Sequence, residues 1–335
     1  GLDSSVAVKM MLDQDLDVLA LNFVSPFCTC SPRKGGGCHL AARVAQSMGV
    51  GLRVMHKGLD YLRIVEKPRF GHGRGLNPCI DCRIYMLRKA TDVMRETGAV
   101  CVVTGEVLGQ RPMSQHRQAL DLIERESGLA GRLLRPLSAH LMAPTIPERE
   151  GLIRRDRLLK LSGRTRSPQL AFAKEKGVEV FGCASGGCLL TDPAIARRLK
   201  DLFEHCPDWD ERDARLATRG RHFRVRPGLK VILGRDAGEN ARLDQMAGRE
   251  PPSGATPVSR GPLPVVSFVK EPGPLAVLRG LHEEKDLAAV GRLLRRFSPK
   301  VTAGRVEVRV RCDGQEKTWA ALDSAPEDEV ESWTI

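Results

Sequence analysis

SSVAVKMMLDQDLDVLALNFVS, residues 4–25, holds two different patterns in succession. SSVAVKMML (4–12) has the spacing of an amphipathic helix, whereas DVLALNFVS (17–25) is a compact apolar run of the kind found in a buried parallel strand. The alternation then continues. HLAARVAQSMG (39–49) reads as a helix, GLRVMHK (51–57) as a strand, and YMLRKATDVMRETG (85–98) as a helix closed by a glycine. AVCVVTGEVLG (99–109) reads as a strand running into a glycine turn. Repeated strand and helix alternation predicts an α/β domain with a doubly wound parallel sheet, whose ligand sits at the carboxyl ends of the strands.

Further along, RPLSAHLMAPTIPEREGLI (135–153) is rich in proline, and the helix PAIARRLKDLFEHC (193–206) closes this part of the chain. From about Asp208 the character changes. RHFRVRPGLKVILGRDAGENARLDQMAG (221–248) reads as short strands, a glycine turn and a helix, and REPPSGATPVSRGPLP (249–264) as a loop. DLAAVGRLLRRFS (286–298) is a further helix, and the alternating VEVRVRC (306–312) a further strand. The expected organisation is therefore a catalytic domain over 1–207 and a smaller α+β domain over 208–335.

The chain has 335 residues, 41% of them hydrophobic, enough to bury a core. No apolar run approaches the roughly 20 residues that cross a bilayer, and no signal-peptide pattern opens the sequence, so a cytoplasmic location without membrane contact is expected. A formal charge of +12 favours a polyanionic partner, while 4% aromatic residues argue against a base-stacking platform. Ten cysteines in a reducing compartment point to metal or sulfur chemistry rather than to a disulfide framework. Cys101 and Cys312 lie in apolar or strand-like settings and are expected to be inert.

The chain opens GLDSSVAVKM. A glycine turn lets backbone N–H groups reach a phosphate, a helix begins there with its positive end, and hydroxyls add donors. These residues resemble the end of the SGGxDS phosphate loop of the N-type ATP pyrophosphatases, with Gly1, Asp3, Ser4 and Ser5 matching. The resemblance implies ATP as substrate, with Asp3 holding Mg2+ against the pyrophosphate. The first Ser and Gly of that motif and the strand before it are not in the sequence, which predicts weak ATP binding by the chain as it stands. TGEVLGQRPMSQ (104–115) resembles the second nucleotide-side motif of the tRNA 4-thiouridine synthetases, followed by an RPL segment at Arg135, Pro136 and Leu137. Gly105 and Gly109 permit a tight turn, and Gln110, Ser114 and Gln115 offer neutral donors and acceptors to a nucleotide.

NPCIDCR (77–83) resembles the loop of the tRNA 2-thiouridylases that carries the catalytic cysteine, which falls on Cys82; Cys79 stands where those enzymes carry an acid. FGCASGGCLLTDPAIARRL (181–199) adds a late cysteine, Cys188, with Cys183 in reserve. Two mechanisms are implied, and the first is the expected one, because Cys79 replaces an acid and adds a ligand. In one, Cys79, Cys82 and Cys188 ligate a 4Fe-4S cluster that holds hydrosulfide, as in the iron–sulfur sulfurtransferases of this superfamily; in the other, Cys82 carries a persulfide that Cys188 resolves. PFCTCSPRKGGGCH (26–39) places Cys28, Cys30, Cys38 and His39 close together, in a spacing that matches no common zinc finger.

From Arg149 to Arg166 the chain carries seven Lys or Arg residues, among them Arg154, Arg155, Arg164 and Arg166, an electrostatic footprint suited to an RNA backbone. GLKVILGRDAGENARL (228–243) resembles the RNA-binding module of ribosome-quality-control factors. That module is also appended to thiouridylase-like proteins, and Gly234, Arg235 and Asn240 match its pattern. It implies a grip on tRNA through Arg221, Arg224 and Arg235. The expected activity is ATP-dependent thiolation of a tRNA uridine, drawing on a sulfide or persulfide donor, with a homodimer as one open assembly. The alternatives are another N-type ATP pyrophosphatase, or a nonenzymatic, metal-stabilised RNA-binding protein.

Overall fold

The computed structural model describes residues 1–29, 39–181, 187–248, 261–280, 283–301, 306–321 and 324–335. The chain divides into two compact units, Gly1–Leu189 and Leu190–Ile335.

The first unit begins with helix α1 (Leu2–Leu12). Leu2, Val6 and Met10 recur a turn apart with Ala7 and Met11 beside them, and this stripe is buried against Val107, Leu134 and Leu137. Strand β1 (Leu19–Val24), helix α2 (His39–Ser47) and strand β2 (Gly51–His56) form a parallel βαβ unit, in register from Leu19 opposite Gly51 to Val24 opposite His56. Helices α3 (Leu59–Glu66) and α4 (Cys79–Thr97) follow, the latter closed by Gly98 in the left-handed conformation at φ 69°. Strand β3 (Val102–Val103), helix α5 (Arg117–Glu126) and strand β4 (Leu133–Leu134) make a second parallel crossover, and helices α6 (Ile146–Arg149) and α7 (Ser167–Glu175) complete the unit.

The parallel α/β character is as expected, but the doubly wound sheet is not found whole: among the described residues, β1–β2 and β3–β4 are two separate ribbons. The strand expected over AVCVV (99–103), before the glycine turn, shortens to Val102–Val103, and the chain then runs against α1. A Cβ on Gly105 would lie 2.5 Å from both the Asp3 carbonyl carbon and the Ser4 nitrogen.

The second unit runs through helices α8 (Pro193–His205) and α9 (Glu211–Leu216), strands β5 (Arg221–Arg226) and β6 (Leu229–Leu233), and helix α10 (Ala237–Ala247). It continues through strands β7 (Val265–Phe268) and β8 (Ala276–Gly280), helix α11 (Glu284–Arg296), strands β9 (Val306–Cys312) and β10 (Gln315–Ala321), and helix α12 (Glu327–Trp333). The six strands form one antiparallel sheet in the order β10-β9-β7-β8-β6-β5. Side chains alternate across it. Val231, Val266, Ala276 and Leu278 pack with Leu287, Val290, Leu293 and Leu294 of α11. Their neighbours Ile232, Val265 and Val277 pack with Leu216, Leu243 and Ala247 of α9 and α10. Both faces of the centre are thus covered, which explains why every residue of β6 is buried, Lys230 included.

The sequence boundary near 207 left α8 with the catalytic domain, whereas the compact units divide before it. Asp201 of α8 accepts from Lys230 Nζ at 2.7 Å and from Arg224 Nη2 at 2.7 Å, and Lys230 also donates to the Arg198 carbonyl at 3.1 Å. Lys230 is almost fully buried in β6, so its ammonium needs that carboxylate, and the helix goes with the sheet.

Candidate active site

Gly1 caps α1 without a side chain, and the first turn carries Asp3, Ser4 and Ser5. Gly105 lies on the backbone of that turn, so the TGE segment and the helix N-terminus are in contact through a position where no side chain fits. Ser5 is buried and its hydroxyl donates to the Gly1 carbonyl at 3.1 Å, making it a clamp of the turn; Ser4 is exposed. Asp3 Oδ1 is buried with no hydrogen-bond partner among the described residues, an acceptor suited to a cation or a bound water. These residues therefore fit a nucleotide phosphate with its Mg2+ at Asp3.

The loop after Gly105 is tied from behind. Glu106 is buried and accepts from Arg135 Nε at 3.1 Å. The equally buried Arg135 reaches Glu124 at 2.7 Å and the Leu120 carbonyl at 3.1 Å. The RPL arginine thus supports the loop rather than touching a ligand. Gly109, at φ 76°, donates its N–H to the Gln115 carbonyl at 2.7 Å and closes the turn. Gln110, Ser114 and Gln115 are buried, and Gln110 Nε2 and Gln115 Oε1 have no partner among the described residues. The Gly163 N–H donates to the Leu108 carbonyl at 2.7 Å, which brings the basic stretch against this loop.

Arg111 joins the phosphate end to the cysteine end. Partial burial lowers its pKa, Arg83 and Arg166 push the same way, and Cys79 and Asp3 oppose them. Cys79 and Cys82 lie in the first turn of α4, after Pro78. The loop before them is held by the buried Asp81 carboxylate, which accepts the N–H groups of Arg69 and Phe70 at 3.0 Å each. Burial raises the Cys79 pKa, as does Cys82, so Cys79 favours its thiol form. Lys57 Nζ lies 3.5 Å from Cys82 Sγ and 4.3 Å from the centroid of the Tyr61 ring. Tyr61 is buried, and its phenol pKa is raised far above the ordinary value by burial first, then by Cys82, Cys188 and Cys28. Cys28 and Cys188 face each other in an isolated antiparallel bridge.

The structure thus sets Gly105 on the backbone of Asp3 and Ser4, Lys57 beside Cys82 and Tyr61, and Cys28 opposite Cys188. Lys57 and Tyr61 escaped the sequence reading; the only signal was a lysine ending an otherwise apolar strand. Cys30, Cys38 and Cys183, and the His39 side chain, lie outside the described residues. Among the described residues no group of three or more His, Cys, Asp or Glu is arranged to hold a metal ion.

The expected RNA-binding arginines separate into two kinds. Arg154 and Arg164 are exposed and Arg166 is half-buried. Arg155 instead bonds Glu148 and the carbonyls of Ala139 and Met142, the latter two at 2.8 Å, and so holds its own loop. In the second unit Arg224 is committed to Asp201, whereas Arg221 stacks 4.7 Å from the Phe297 ring and Arg235 keeps about half its side chain exposed while donating to the Gly220 carbonyl. The GRDAGEN turn is itself structural. Asn240 accepts the Leu275 N–H and donates to the Gly273 carbonyl, both at 3.1 Å, and a Cβ on Gly234 would collide with it.

Residues 1–140 match the family model described as thiamine biosynthesis protein (ThiI), and residues 220–334 match the NFACT protein RNA binding domain. No curated protein matches the chain significantly.

Proposed function

From a chain that joins a ThiI-type domain to an NFACT-type RNA-binding domain, we infer ATP-dependent thiolation of a uridine in tRNA. The observation that supports this reading is a chain of contacts between the two segments: Arg83, the residue after Cys82, lies 3.6 Å from Glu106 of the TGE loop, and the neighbouring Gly105 packs on the backbone of Asp3 and Ser4. Thiolation needs that adjacency, because the activated carbonyl must meet sulfur before water does.

In the reaction, the uracil carbonyl oxygen attacks the α-phosphorus of ATP and pyrophosphate leaves. The α1 N-terminus and Arg111 receive the phosphates, and Asp3 would hold Mg2+, which supplies charge neutralisation there. Cys82 carries the incoming sulfur as a persulfide, with the Lys57 cation beside it. The terminal sulfur attacks the ring carbon, and AMP leaves with the former carbonyl oxygen. The Cys188 thiolate then attacks Cys82 Sγ and breaks its bond to the transferred sulfur. Both electrons of that bond stay with the uridine sulfur, and a Cys82–Cys188 disulfide remains. The basic face around Arg154 and Arg164 and the second unit supply tRNA binding.

The test is mass spectrometry of tRNA nucleosides from cells lacking the gene, complemented with wild type, Asp3→Ala or Cys82→Ser. Loss of one thiouridine, restored by wild type alone, is expected. Unchanged thiouridines in the deletion strain overturn the reading, and iron with acid-labile sulfide in anaerobically purified protein overturns the persulfide route.

A further inference from the structure

Cys28 stands outside the two thiols assigned to the chemistry, Cys82 and Cys188, yet the fold sets it opposite one of them. The Phe27 carbonyl accepts the Leu189 N–H at 2.8 Å, and the Gly187 carbonyl accepts the Thr29 N–H at 3.4 Å and the Thr29 hydroxyl at 2.9 Å. These bonds flank the Cys28–Cys188 pair rather than join it, so the two cysteines occupy a non-hydrogen-bonded position of an antiparallel ladder. At such positions Cα atoms lie about 4.5 Å apart and side chains make their closest cross-strand approach. A disulfide spans Cα separations of about 4.4–6.8 Å. Gly187 makes the approach possible, since a Cβ there would come 3.0 Å from Thr29 Oγ1 and 3.1 Å from its Cγ2. Both cysteines are reduced and half-buried, and both act, with Cys82, on the single phenol of Tyr61.

We propose that Cys28 is a second resolving thiol, which takes the disulfide from Cys82–Cys188 by exchange and leaves Cys28 and Cys188 linked across the bridge. The proposal rests on the persulfide reading above. The Cys28 thiolate attacks Cys188 Sγ, the Cys82–Cys188 bond breaks, and Cys82 departs with the electron pair as a thiolate; the Cys28 proton passes to solvent. The exchange is redox-neutral. The two electrons that reduced the transferred sulfur came from Cys82 and Cys188, and an external dithiol, itself oxidised to a disulfide, restores them after the exchange. The consequence is functional: Cys82 is ready for the next sulfur while the oxidised pair waits at a separate place.

Inorganic polysulfide, which loads thiols with sulfane sulfur, tests this without ATP or tRNA: a Cys82 persulfide attacked by Cys188 releases hydrosulfide and forms the first disulfide. The full protein is treated, alkylated and mapped by mass spectrometry under non-reducing conditions. A Cys28–Cys188 linkage should dominate in wild type and Cys82–Cys188 in Cys28→Ser, and Gly187→Ala should lower the Cys28–Cys188 yield severalfold. Cys82–Cys188 as the dominant linkage in wild type overturns the proposal. In a thiolation assay Cys28→Ser should show a first-turnover burst followed by a steady state slower by about tenfold, because Cys82 is regenerated slowly; equal steady-state rates overturn it. A Cys28–Cys188 linkage in a protein that thiolates no tRNA supports the exchange and overturns only the assignment of substrate.

Discussion

Two groups of cations, one in each unit, are held on opposite terms. Around Arg111 like charges add up: burial, Arg83 and Arg166 all depress its pKa, and Cys79 and Asp3 oppose them. Around Asp201 the charges are closed. Burial works against the carboxylate, but Arg224 and Lys230 outweigh it and hold the Asp201 pKa below the usual aspartate range. Like charges crowded together cost free energy until an anion arrives, whereas a closed triad is complete in the protein alone. The first arrangement suits a site for a polyphosphate, and the second pins α8 to the sheet.

The largest effect that sharpens this contrast belongs to the thiol loop. Cys82→Ser removes the sulfur carrier and should lower thiolation by roughly a thousandfold or more, since a hydroxyl cannot form a persulfide. ATP binding measured by calorimetry should be unchanged within about twofold, because phosphates are received by other residues. Loss of ATP binding would place Cys82 in the nucleotide site.

Asp201→Ala comes next. It leaves Lys230 buried without its carboxylate and should cost about 3–5 kcal/mol in denaturant unfolding of the second unit. A cost under about 1 kcal/mol would mean that the triad does not hold the fold. The pH dependence has a definite sign. Asp201 has a depressed folded pKa, so its contribution is present above the unfolded value, about 3.9, and is lost as pH falls below it. His222 is fully buried, and burial first, then Lys230 and Arg198, holds its pKa well below the ordinary value. It stays neutral in the fold while the unfolded chain gains a proton, so stability should already decline as pH falls through about 6.5. His222→Gln should flatten that limb.

Gly105→Ala should act at the nucleotide end. A methyl group 2.5 Å from the Asp3 and Ser4 backbone must push the TGE segment off α1. ATP affinity should fall by roughly tenfold to a hundredfold, about 1.4–2.7 kcal/mol, while tRNA binding is retained. Unaltered ATP affinity would break the link between that close approach and the phosphates.

Much of this was legible in the residues. The apolar run at 17–25 became β1 and the alternation VEVRVRC at 306–312 became β9; in β9 the alternation follows burial, whereas β1, expected to be buried, is buried only at Val24. The proximity of Cys28 to Cys188 was not legible, since it depends on how two segments far apart in sequence pair in a single bridge. Lys57 beside Cys82 is likewise a product of the β2–α4 packing and carries no local signal. The roles of the arginines were misread in part for the same reason. A basic residue in sequence cannot be sorted into solvent-facing or ion-paired until its partner is known, and Glu148 and Asp201 claim Arg155 and Arg224.

The smallest effect concerns that sorting, and it separates binding charge from structural charge. Removing one cation that neutralises a phosphate reduces the slope of log affinity against log salt by about 0.7–0.9. Arg221 is half-buried on the Phe297 ring with no carboxylate paired to it among the described residues, and Arg235, 3.6 Å from Glu239, keeps about half its side chain exposed. Arg221→Gln and Arg235→Gln should each lower the slope of tRNA binding by up to about that amount, with a smaller loss of stability than Arg224→Gln. Arg224 has both terminal and inner nitrogens on Asp201, at 2.7 and 2.9 Å. Arg224→Gln should therefore lower the melting temperature and leave the salt slope of the protein that remains folded as it was. The same comparison applies in the first unit, where Arg164→Gln should flatten the slope and Arg155→Gln, which frees Glu148 and two carbonyls, should loosen the loop instead. Filter-binding titrations over a range of salt, paired with thermal melts of each variant, measure both quantities on one preparation. Were Arg224→Gln and Arg155→Gln to flatten the salt slope without loss of stability, their ion pairs would have to open on RNA binding, and the division between closed and waiting cations would not hold.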